Sequence, residues 1–182
     1  VDFLFAVRPI NLELLDENLN SIIKETLSFF APELKKSGIS IETDLCPKIP
    51  DLQLDKRYIK QALINLIKNA EFAMKSGGTL KIQTECRDNQ AVLKVADTGM
   101  GIPDNILSRI FEPYFTTKEF GSGIGLTIVY KVIKEHRGDI SIKTKENKGT
   151  TFIITLPLPQ QEQRLIEWNG KETGDAILNP GS

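Results

Sequence analysis

Two asparagines, Asn65 and Asn69, lie four residues apart in an otherwise apolar helical segment. Side chains at this spacing share one face of a helix. Asparagine is a mediocre helix former, and an amide buried without hydrogen-bond partners costs about 1–3 kcal/mol. The pair therefore predicts a face that meets solvent or a ligand, and an amide oxygen suits a hard cation such as Mg²⁺. A partly exposed polar face without a ligand is the simpler alternative.

A carboxylate follows an alternating apolar run at Asp97, and the sequence TGMGIP comes directly after it. Period-two alternation places Asp97 on the same face as Leu93 and Val95, so the carboxylate faces the core and needs hydrogen-bond donors. The exocyclic amine of a purine would be such a donor. Gly99 and Gly101 let the backbone turn sharply and approach a flat ring. An ordinary Asp-Gly turn is the alternative.

A glycine-rich segment, GSGIGL at residues 121–126, opens a later helix. Glycines at a helix start leave backbone N–H groups that can face an anion. The segment follows a long loop rather than the first strand of a parallel unit, which argues against a dinucleotide-binding fold. Thr117 and Lys118 come just before these glycines, where a cation would meet a terminal phosphate. The aromatic residues of the same loop, Phe111 to Phe115, equally suit packing on the core.

The elements that must position these residues follow from the apolar periodicity. Asp16 is expected to cap a helix over residues 16–36, in which Pro32 predicts a bend or break. The remaining expected elements are helices over 55–75 and 124–136, a short helix near 104–110, a strand over 39–45, and strand pairs at 80–86 with 91–95 and at 139–145 with 150–156. This order predicts an α/β two-layer sandwich, with a mixed, largely antiparallel sheet and three main helices on one face.

The composition excludes several classes of protein. A formal charge of −1 over 182 residues gives no general affinity for nucleic acid. The apolar runs are too short to span a bilayer. Two cysteines and one histidine cannot build an ordinary structural zinc site. Cys46 and Cys86 lie in apolar alternating stretches, so we expect both to be buried thiols in a reducing compartment. We therefore expect a cytoplasmic domain, whose parent protein could still be membrane-anchored.

Taken together, the segments resemble the ATP-binding catalytic domain of two-component sensor histidine kinases, a member of the Bergerat-fold superfamily. The Asn65–Asn69 segment resembles the family's N box, residues 97–101 its G1 box, residues 111–118 its F box and residues 121–125 its G2 box. Residues 149–152 resemble the final glycine–threonine element. The order and spacing match over roughly residues 10–157. The sequence FTTK at residues 115–118 is similar to that of kinases of the nitrogen-regulator and sporulation type.

The resemblance implies a role for each matching residue. Asn69 would coordinate the Mg²⁺ that bridges the phosphates of ATP, with Asn65 supporting it. Asp97 would accept a hydrogen bond from the adenine amine, and Thr150 would lie nearby through a water. Lys118 would reach the γ-phosphate and, with Asn69, act in catalysis. The residues expected to bind the nucleotide are Asn65, Asn69, Ala73, Asp97, Gly99, Gly101, Ile102, Thr117, Lys118, Gly121, Ser122, Gly123, Ile124, Gly125, Leu126 and Thr150.

Three positions on the helix that carries Asn69 bear on the reaction that the resemblance implies. Many histidine kinases carry a basic and an aromatic residue three and four positions after the metal-binding asparagine, where this chain has Phe72 and Ala73. That departure leaves more of the phosphate contact to Lys118. At the position of Asn65 the superfamily's ATP hydrolases carry a glutamate that activates water, whereas an amide accepts no proton at neutral pH. The resemblance therefore implies a kinase with slow hydrolysis.

The phosphoacceptor is expected to lie outside this chain. His136 is the one histidine, and it precedes Gly138 at a helix end, where we expect a cation to favour the helix dipole and the glycine to supply a left-handed cap. Residues 1–15 are interpreted as a linker from a missing dimerisation and phosphoacceptor domain, 16–157 as the ATP-binding domain and 158–182 as a polar tail.

The implied partners are those missing helices and a downstream response regulator, with no nucleic acid. This piece is expected to be a monomer and its parent a homodimer. A serine kinase of the anti-sigma type and a non-catalytic nucleotide-sensing module are the alternatives.

Overall fold

A computed structural model of the chain describes residues 10–116 and 123–159. A sheet of five strands carries the helices, and residues 15–17 and 52–54 form a separate two-stranded ribbon. The helices are α1 (Leu19–Lys36), α2 (Lys56–Ala73), α3 (Asp104–Leu107) and α4 (Gly125–Glu135). The strands are β1 (Leu15–Glu17), β2 (Ile39–Leu45), β3 (Leu52–Leu54), β4 (Gly78–Arg87), β5 (Gln90–Asp97), β6 (Asp139–Lys145) and β7 (Gly149–Pro157).

The sheet confirms the expected fold class. Its strand order is β2-β4-β5-β7-β6, in which β2 and β4 run parallel and all other neighbours antiparallel. The ribbon pairs β1 with β3. The register of β5 places Asp97 opposite Leu80 on one side and opposite Thr150 on the other. The strand end that carries Asp97 is therefore flanked by a strand on both sides.

One face of the sheet is buried under helices, as the alternating sequence predicts. On β4, Leu80 and Ile82 are fully buried while the intervening Lys81 is half-exposed. The helices contribute stripes at helical spacing, in which the largest buried side chains are Leu19, Ile22, Ile23 and Leu34 of α1, Leu63, Leu66 and Ile67 of α2, and Ile133 of α4. This single core sets the distance between α2 and the sheet, and so the position of Asn65 and Asn69.

The start of α1 differs from the expectation, and its interior does too. Asn18 caps the helix, accepting from the Ser21 N–H at 3.0 Å, because Asp16 belongs to β1. The expected bend at Pro32 does not interrupt α1, which continues to Lys36. Proline removes the N–H that would bond the carbonyl of Ser28, and that residue is exposed and can be solvated.

The expectation of two buried cysteines is wrong for Cys86. Cys86 is exposed and Cys46 is half-buried, and neither forms a disulfide in the described part of the chain. Strand β2 ends at Leu45 opposite Thr84, so no β2 residue flanks Cys86 on that side. The three-residue strand β3 was also not expected, since it directly follows a proline-containing turn. No helix within residues 10–116 and 123–159 has the length and apolar character that crossing a membrane requires.

Candidate functional site

One stripe of α2 borders the site. Asn65, Asn69 and Ala73 follow each other at intervals of four residues, so they lie along one side of the helix. At one end of this stripe Asn65 lies against Gly125, where an added Cβ would be 3.5 Å from Asn65 Oδ1. At the other end the Ala73 carbonyl accepts from the Met100 N–H at 3.0 Å. Asn69 therefore lies between the first turn of α4 and the loop that follows Asp97.

Asn65 carries an unsatisfied donor. Its Nδ2 is buried and has no hydrogen-bond partner among the described residues. An unpaired buried polar group costs about 1–3 kcal/mol, which a bound acceptor would recover. The neighbouring helix start at Gly125 presents backbone N–H groups and the positive end of a helix dipole. The donor set here suits an anionic oxygen, such as one of a phosphate.

Asp97 lies half-buried at the end of β5. Its Oδ1 accepts from the Gly99 N–H at 2.9 Å. Burial raises the pKa of Asp97, while the backbone N–H groups of Gly99 and Thr150 act in the opposite direction. A carboxylate in this setting gains most from a further hydrogen-bond donor, as the alternation of β5 predicted.

The loop after Asp97 is held between α2 and the turn that joins β6 to β7. A Cβ on Gly99 would lie 2.6 Å from the Ala73 carbonyl oxygen, so the loop touches the helix directly. Gly101 has φ +68°, and a Cβ there would lie 2.2 Å from the Lys145 carbonyl oxygen. The Asn147 N–H also donates to the Met100 carbonyl at 2.7 Å. Both glycines are therefore required by close approach, in agreement with the expected sharp turn.

Thr150 and its neighbour Gly149 complete the surroundings of Asp97. Thr150 is 4% exposed and lies opposite Asp97 on β7. Gly149 has φ +96°, and a Cβ there would lie 2.0 Å from the Asp97 carbonyl oxygen. Sequence reasoning did not single out Thr144, whose Oγ1 receives the Ile102 N–H at 2.9 Å and lies 3.0 Å from Thr150 Oγ1. A threonine alternating with lysines on a strand gives no signal that would reveal this role.

Of the expected glycine segment, the structure describes residues 123–126 at the start of α4. Gly123 has φ +68° and lies against the backbone of Tyr114, where a Cβ would approach within 2.4 Å. Ile124 is 4% exposed within the core, and Leu126 is half-buried against it. Thr117, Lys118, Gly121 and Ser122 lie outside the described residues.

His136 is a structural residue, and two expectations about its surroundings are wrong. Its Nε2 accepts from the Asp55 N–H at 2.9 Å and its Nδ1 lies 2.7 Å from the Val132 carbonyl, so the ring is neutral with its proton on Nδ1. Because Nε2 accepts a backbone hydrogen, His136 is not the expected cation at this helix end, and burial lowers the pKa of His136. Arg137, with φ 58°, supplies the left-handed cap instead of Gly138. Gly138 is still required, because a Cβ there would lie 2.4 Å from the Thr155 carbonyl oxygen.

Asp55 lies at the beginning of α2, next to the end of α4. Its carboxylate caps α2 at the Arg57 N–H (3.0 Å), and it also accepts from the Glu13 N–H at 3.0 Å. Although burial of Asp55 opposes ionisation, the Arg57 side chain and the backbone donors of Glu13 and Arg57 together lower the pKa of Asp55. Asp55 and His136 thus join the beginning of α2 to the end of α4.

The residues present fit a magnesium ion held mainly by a ligand. No group of three or more His, Cys, Asp or Glu side chains that could hold a metal ion occurs in the described ranges. Mg²⁺ is usually bound by one or two protein oxygens together with water and phosphate oxygens. A single amide oxygen from Asn69, one turn from the unsatisfied Asn65, is compatible with that mode and not with a metal site made of protein alone.

Comparison with known proteins places the site in a family. A family model described as histidine kinase-, DNA gyrase B- and HSP90-like ATPase matches residues 54–160. Sporulation kinase E of Bacillus subtilis is 34% identical over 163 residues, 89% of this chain and 22% of that protein. The catalytic domain of histidine kinase ThkA has a TM-score of 0.72 at 35% identity, covering 80% of this chain and 96% of that one.

A further structure, histidine kinase ThkA in complex with the response regulator protein TrrA, matches with a TM-score of 0.71 at 33% identity, over 83% of this chain and 43% of that one. The chain spans 22% of the length of sporulation kinase E and 37% of the length of sporulation kinase C of Bacillus subtilis. The family match covers more than half of the chain and includes Asn65, Asn69, Asp97 and Thr150. The chain therefore belongs to the family of histidine kinase-, DNA gyrase B- and HSP90-like ATPases, within which these relatives are histidine kinases.

Proposed function

We propose that this domain binds Mg²⁺-ATP and transfers the γ-phosphate to a histidine on a separate phosphoacceptor helix, as part of two-component signal transduction. The observation that carries the proposal is the buried, unpartnered Nδ2 of Asn65 beside the first turn of α4. That donor lies on the same helix side as Asn69, and the loop that follows Asp97 contacts the end of that side at Ala73. A triphosphate and a purine would use these two ends of one site.

Asp97 would bind the adenine. Its carboxylate accepts from the Gly99 N–H and retains lone pairs for the exocyclic amine of the base. The half-buried setting strengthens this hydrogen bond, because the local dielectric is lower than in water. The remaining neighbours of the base would be Ala73, Gly99, Gly101, Ile102 and, through a water, Thr150.

Asn65 and Asn69 would act on the phosphates. Asn69 would hold Mg²⁺ through its side-chain oxygen, and the metal, when bound, neutralises charge on the phosphates. Asn65 would donate its Nδ2 hydrogens to a phosphate oxygen. Lys118 would contact the γ-phosphate, and Thr117 with residues 121–126 would enclose the phosphate chain.

Transfer is favoured over hydrolysis by the amide at Asn65, since an amide does not remove a proton from water at neutral pH. A neutral imidazole nitrogen is already nucleophilic, so it can form a bond to the γ-phosphorus while the bond to the bridging oxygen breaks and ADP leaves. His136 is unsuited to be this nucleophile, because it is 3% exposed and both of its ring nitrogens contact backbone groups. The acceptor histidine would therefore be one on a phosphoacceptor helix outside this chain.

The whole protein would then be a homodimer in the cytoplasm or at its membrane, with residues 1–15 leading from the phosphoacceptor helices into a domain over 16–157. The tail is proposed to begin near residue 158, although Leu158 itself is 6% exposed in contact with the core. A response regulator is the proposed downstream partner, as the ThkA complex with TrrA suggests by analogy.

Calorimetric titration with a non-hydrolysable ATP analogue, with and without Mg²⁺, tests the binding step. Asn69→Ala should weaken binding by roughly tenfold or more with Mg²⁺ and far less without it, since it removes a metal ligand. Gln61→Ala, an amide on the same helix one turn before Asn65, is the matched control and should leave both affinities unchanged. Equal losses with and without Mg²⁺ would show that Asn69 is only structural.

A transfer assay in trans separates the proposed kinase from its alternatives. The domain, radiolabelled ATP and a histidine-bearing helical fragment from a related kinase should yield acid-labile phosphohistidine. Transfer to a serine protein instead would indicate a serine kinase. Tight ATP binding with no transfer to either acceptor would indicate a nucleotide-sensing module.

A further inference from the structure

Thr144, on the edge strand β6, is a meeting point of three segments. Its Oγ1 accepts from the Ile102 N–H at 2.9 Å, donates towards the Gly149 carbonyl at 3.1 Å, and lies 3.0 Å from Thr150 Oγ1. Ile102 belongs to the loop that follows Asp97, and Gly149 and Thr150 begin the strand opposite Asp97. One hydroxyl group thus joins both sides of the Asp97 environment.

The hydroxyl has one hydrogen and two lone pairs to distribute. When it donates to the Gly149 carbonyl, its oxygen accepts from Ile102 and from the Thr150 hydroxyl. When it donates to Thr150 Oγ1, the Thr150 hydroxyl hydrogen is left to point at another acceptor. The Thr144 hydrogen therefore decides whether Thr150 offers a donor or an acceptor beside Asp97.

The β6–β7 hairpin contacts the loop that follows Asp97 at two further points. The Asn147 N–H donates to the Met100 carbonyl at 2.7 Å, and Gly101 packs on the Lys145 carbonyl. These contacts fix how close the loop lies to the hairpin. The hydrogen bond from the Ile102 N–H to the Thr144 hydroxyl fixes which loop residue faces β6. Asp97 is covalently attached to this loop and paired with Thr150, so its carboxylate depends on both.

We propose that Thr144 is a positioning residue for recognition of the nucleotide base. It fixes the backbone of Ile102 and orients the hydroxyl of Thr150 beside Asp97, without itself touching the nucleotide. This inference rests on the proposed ATP binding and assigns the base, rather than the phosphates, as the part of the ligand that Thr144 affects.

Two variants test the hydroxyl. Thr144→Val keeps the shape and removes the hydroxyl, and it should weaken binding of ATP by roughly 3- to 10-fold, the effect of one or two neutral hydrogen bonds. Thr144→Ser restores the hydroxyl and should bind ATP within about twofold of the unaltered domain. Thr43→Val, an exposed threonine on the other edge strand, is the matched control and should change nothing.

Tripolyphosphate with Mg²⁺ is the probe that separates positioning of the base from general damage to the fold. Thr144→Val should bind it as the unaltered domain does. A loss for tripolyphosphate equal to the loss for ATP, or a Thr144→Ser variant as weak as Thr144→Val, would overturn the inference. Unchanged ATP affinity in Thr144→Val would overturn it too, while leaving the proposed function intact.

The unaltered domain supplies a test that needs no variant. The Ile102 amide hydrogen should exchange slowly with solvent deuterium, as slowly as the neighbouring paired amides of β7, and rapid exchange would contradict the inference even if Thr144→Val failed to fold. If the unaltered domain bound no ATP in calorimetry, the proposed function would fail, and this inference with it. The two failures are therefore distinguishable.

Discussion

Asp97 and Thr150 lie opposite each other on neighbouring antiparallel strands, and the backbone at Gly149 passes so close to Asp97 that no side chain fits between them. The carboxylate is consequently half-buried with its pKa raised by burial, even though backbone N–H groups of Gly99 and Thr150 counteract this shift. A residue kept in this setting costs the folded state stability at neutral pH. Substitution of Asp97 is therefore the first way to separate an effect on ATP binding from an effect on the stability of the fold.

Asp97→Asn should weaken ATP binding by about 1–3 kcal/mol, because a hydrogen bond to a charged acceptor is replaced by one to a neutral amide. The nucleotide-free variant should be at least as stable as the unaltered domain, since a buried charge is removed. Calorimetry and thermal unfolding measure the two effects. Asp44→Asn, an exposed carboxylate on β2, is the control. Unchanged affinity in Asp97→Asn would remove adenine recognition from this site.

ATP affinity should fall on acidification through titration of Asp97. The raised pKa means that the carboxyl of Asp97 takes up a proton at a higher pH than an exposed aspartate does. Once protonated, it is a weaker acceptor for the Gly99 N–H and for the adenine amine. Affinity should therefore decline as pH falls through that raised value. ATP titrates as well, so the quantity to measure is the affinity ratio of the unaltered domain to Asp97→Asn. This ratio should decrease towards low pH, and a constant ratio would contradict the assignment.

The stability of the domain should depend on pH through His136. Its pKa in the folded state is lowered by burial, so the unfolded chain binds more protons just below the ordinary value, and protonation favours unfolding. The contribution is fully present above about pH 6.5 and declines as pH falls towards the lowered value. Chemical denaturation of the domain and of His136→Gln at several pH values measures it. The difference in unfolding free energy should shrink from pH 7.5 to pH 5.5, and a pH-independent difference would argue against the neutral ring.

Gly101→Ala should destabilise the fold by roughly 2 kcal/mol or more, because it combines a left-handed backbone with a Cβ placed 2.2 Å from the Lys145 carbonyl oxygen. Gly125→Ala is the matched control, since a Cβ there meets Asn65 at 3.5 Å in the first turn of α4. It should not lower the free energy of unfolding. Equal effects of both substitutions in denaturant titrations would mean that the loop does not dock on the β6–β7 hairpin as described.

The helices and the main sheet could be predicted because their apolar residues follow the two regular periods. The helix expected over residues 55–75 corresponds to α2, and the strand pair expected at 80–86 with 91–95 corresponds to β4 and β5. The expected helix cap at Asp16 is wrong because Asp16 accepts a hydrogen bond from Gln53 and belongs to β1, which pairs with β3. This pairing joins segments that are distant in the chain, so local sequence does not reveal it. The burial of Cys86 was overestimated for a similar reason, since periodicity does not tell where a neighbouring strand ends.

At the site, the types and spacing of Asn65, Asn69 and Asp97 could be interpreted from the sequence because each breaks an apolar pattern. The neutral state of His136 could not, since it depends on a donor at Asp55, far away in the chain. Thr144 could not be found either, because its importance arises from three tertiary contacts and not from its neighbours in the chain.

The carboxylate of Asp55 also has a mechanical consequence. It holds the Glu13 N–H and the first turn of α2, while its own N–H is bonded to the ring at the end of α4. A displacement of the backbone at Glu13 would therefore act on the first turn of α2 and on the end of α4 together, and the latter is the end of α4 opposite to Gly125.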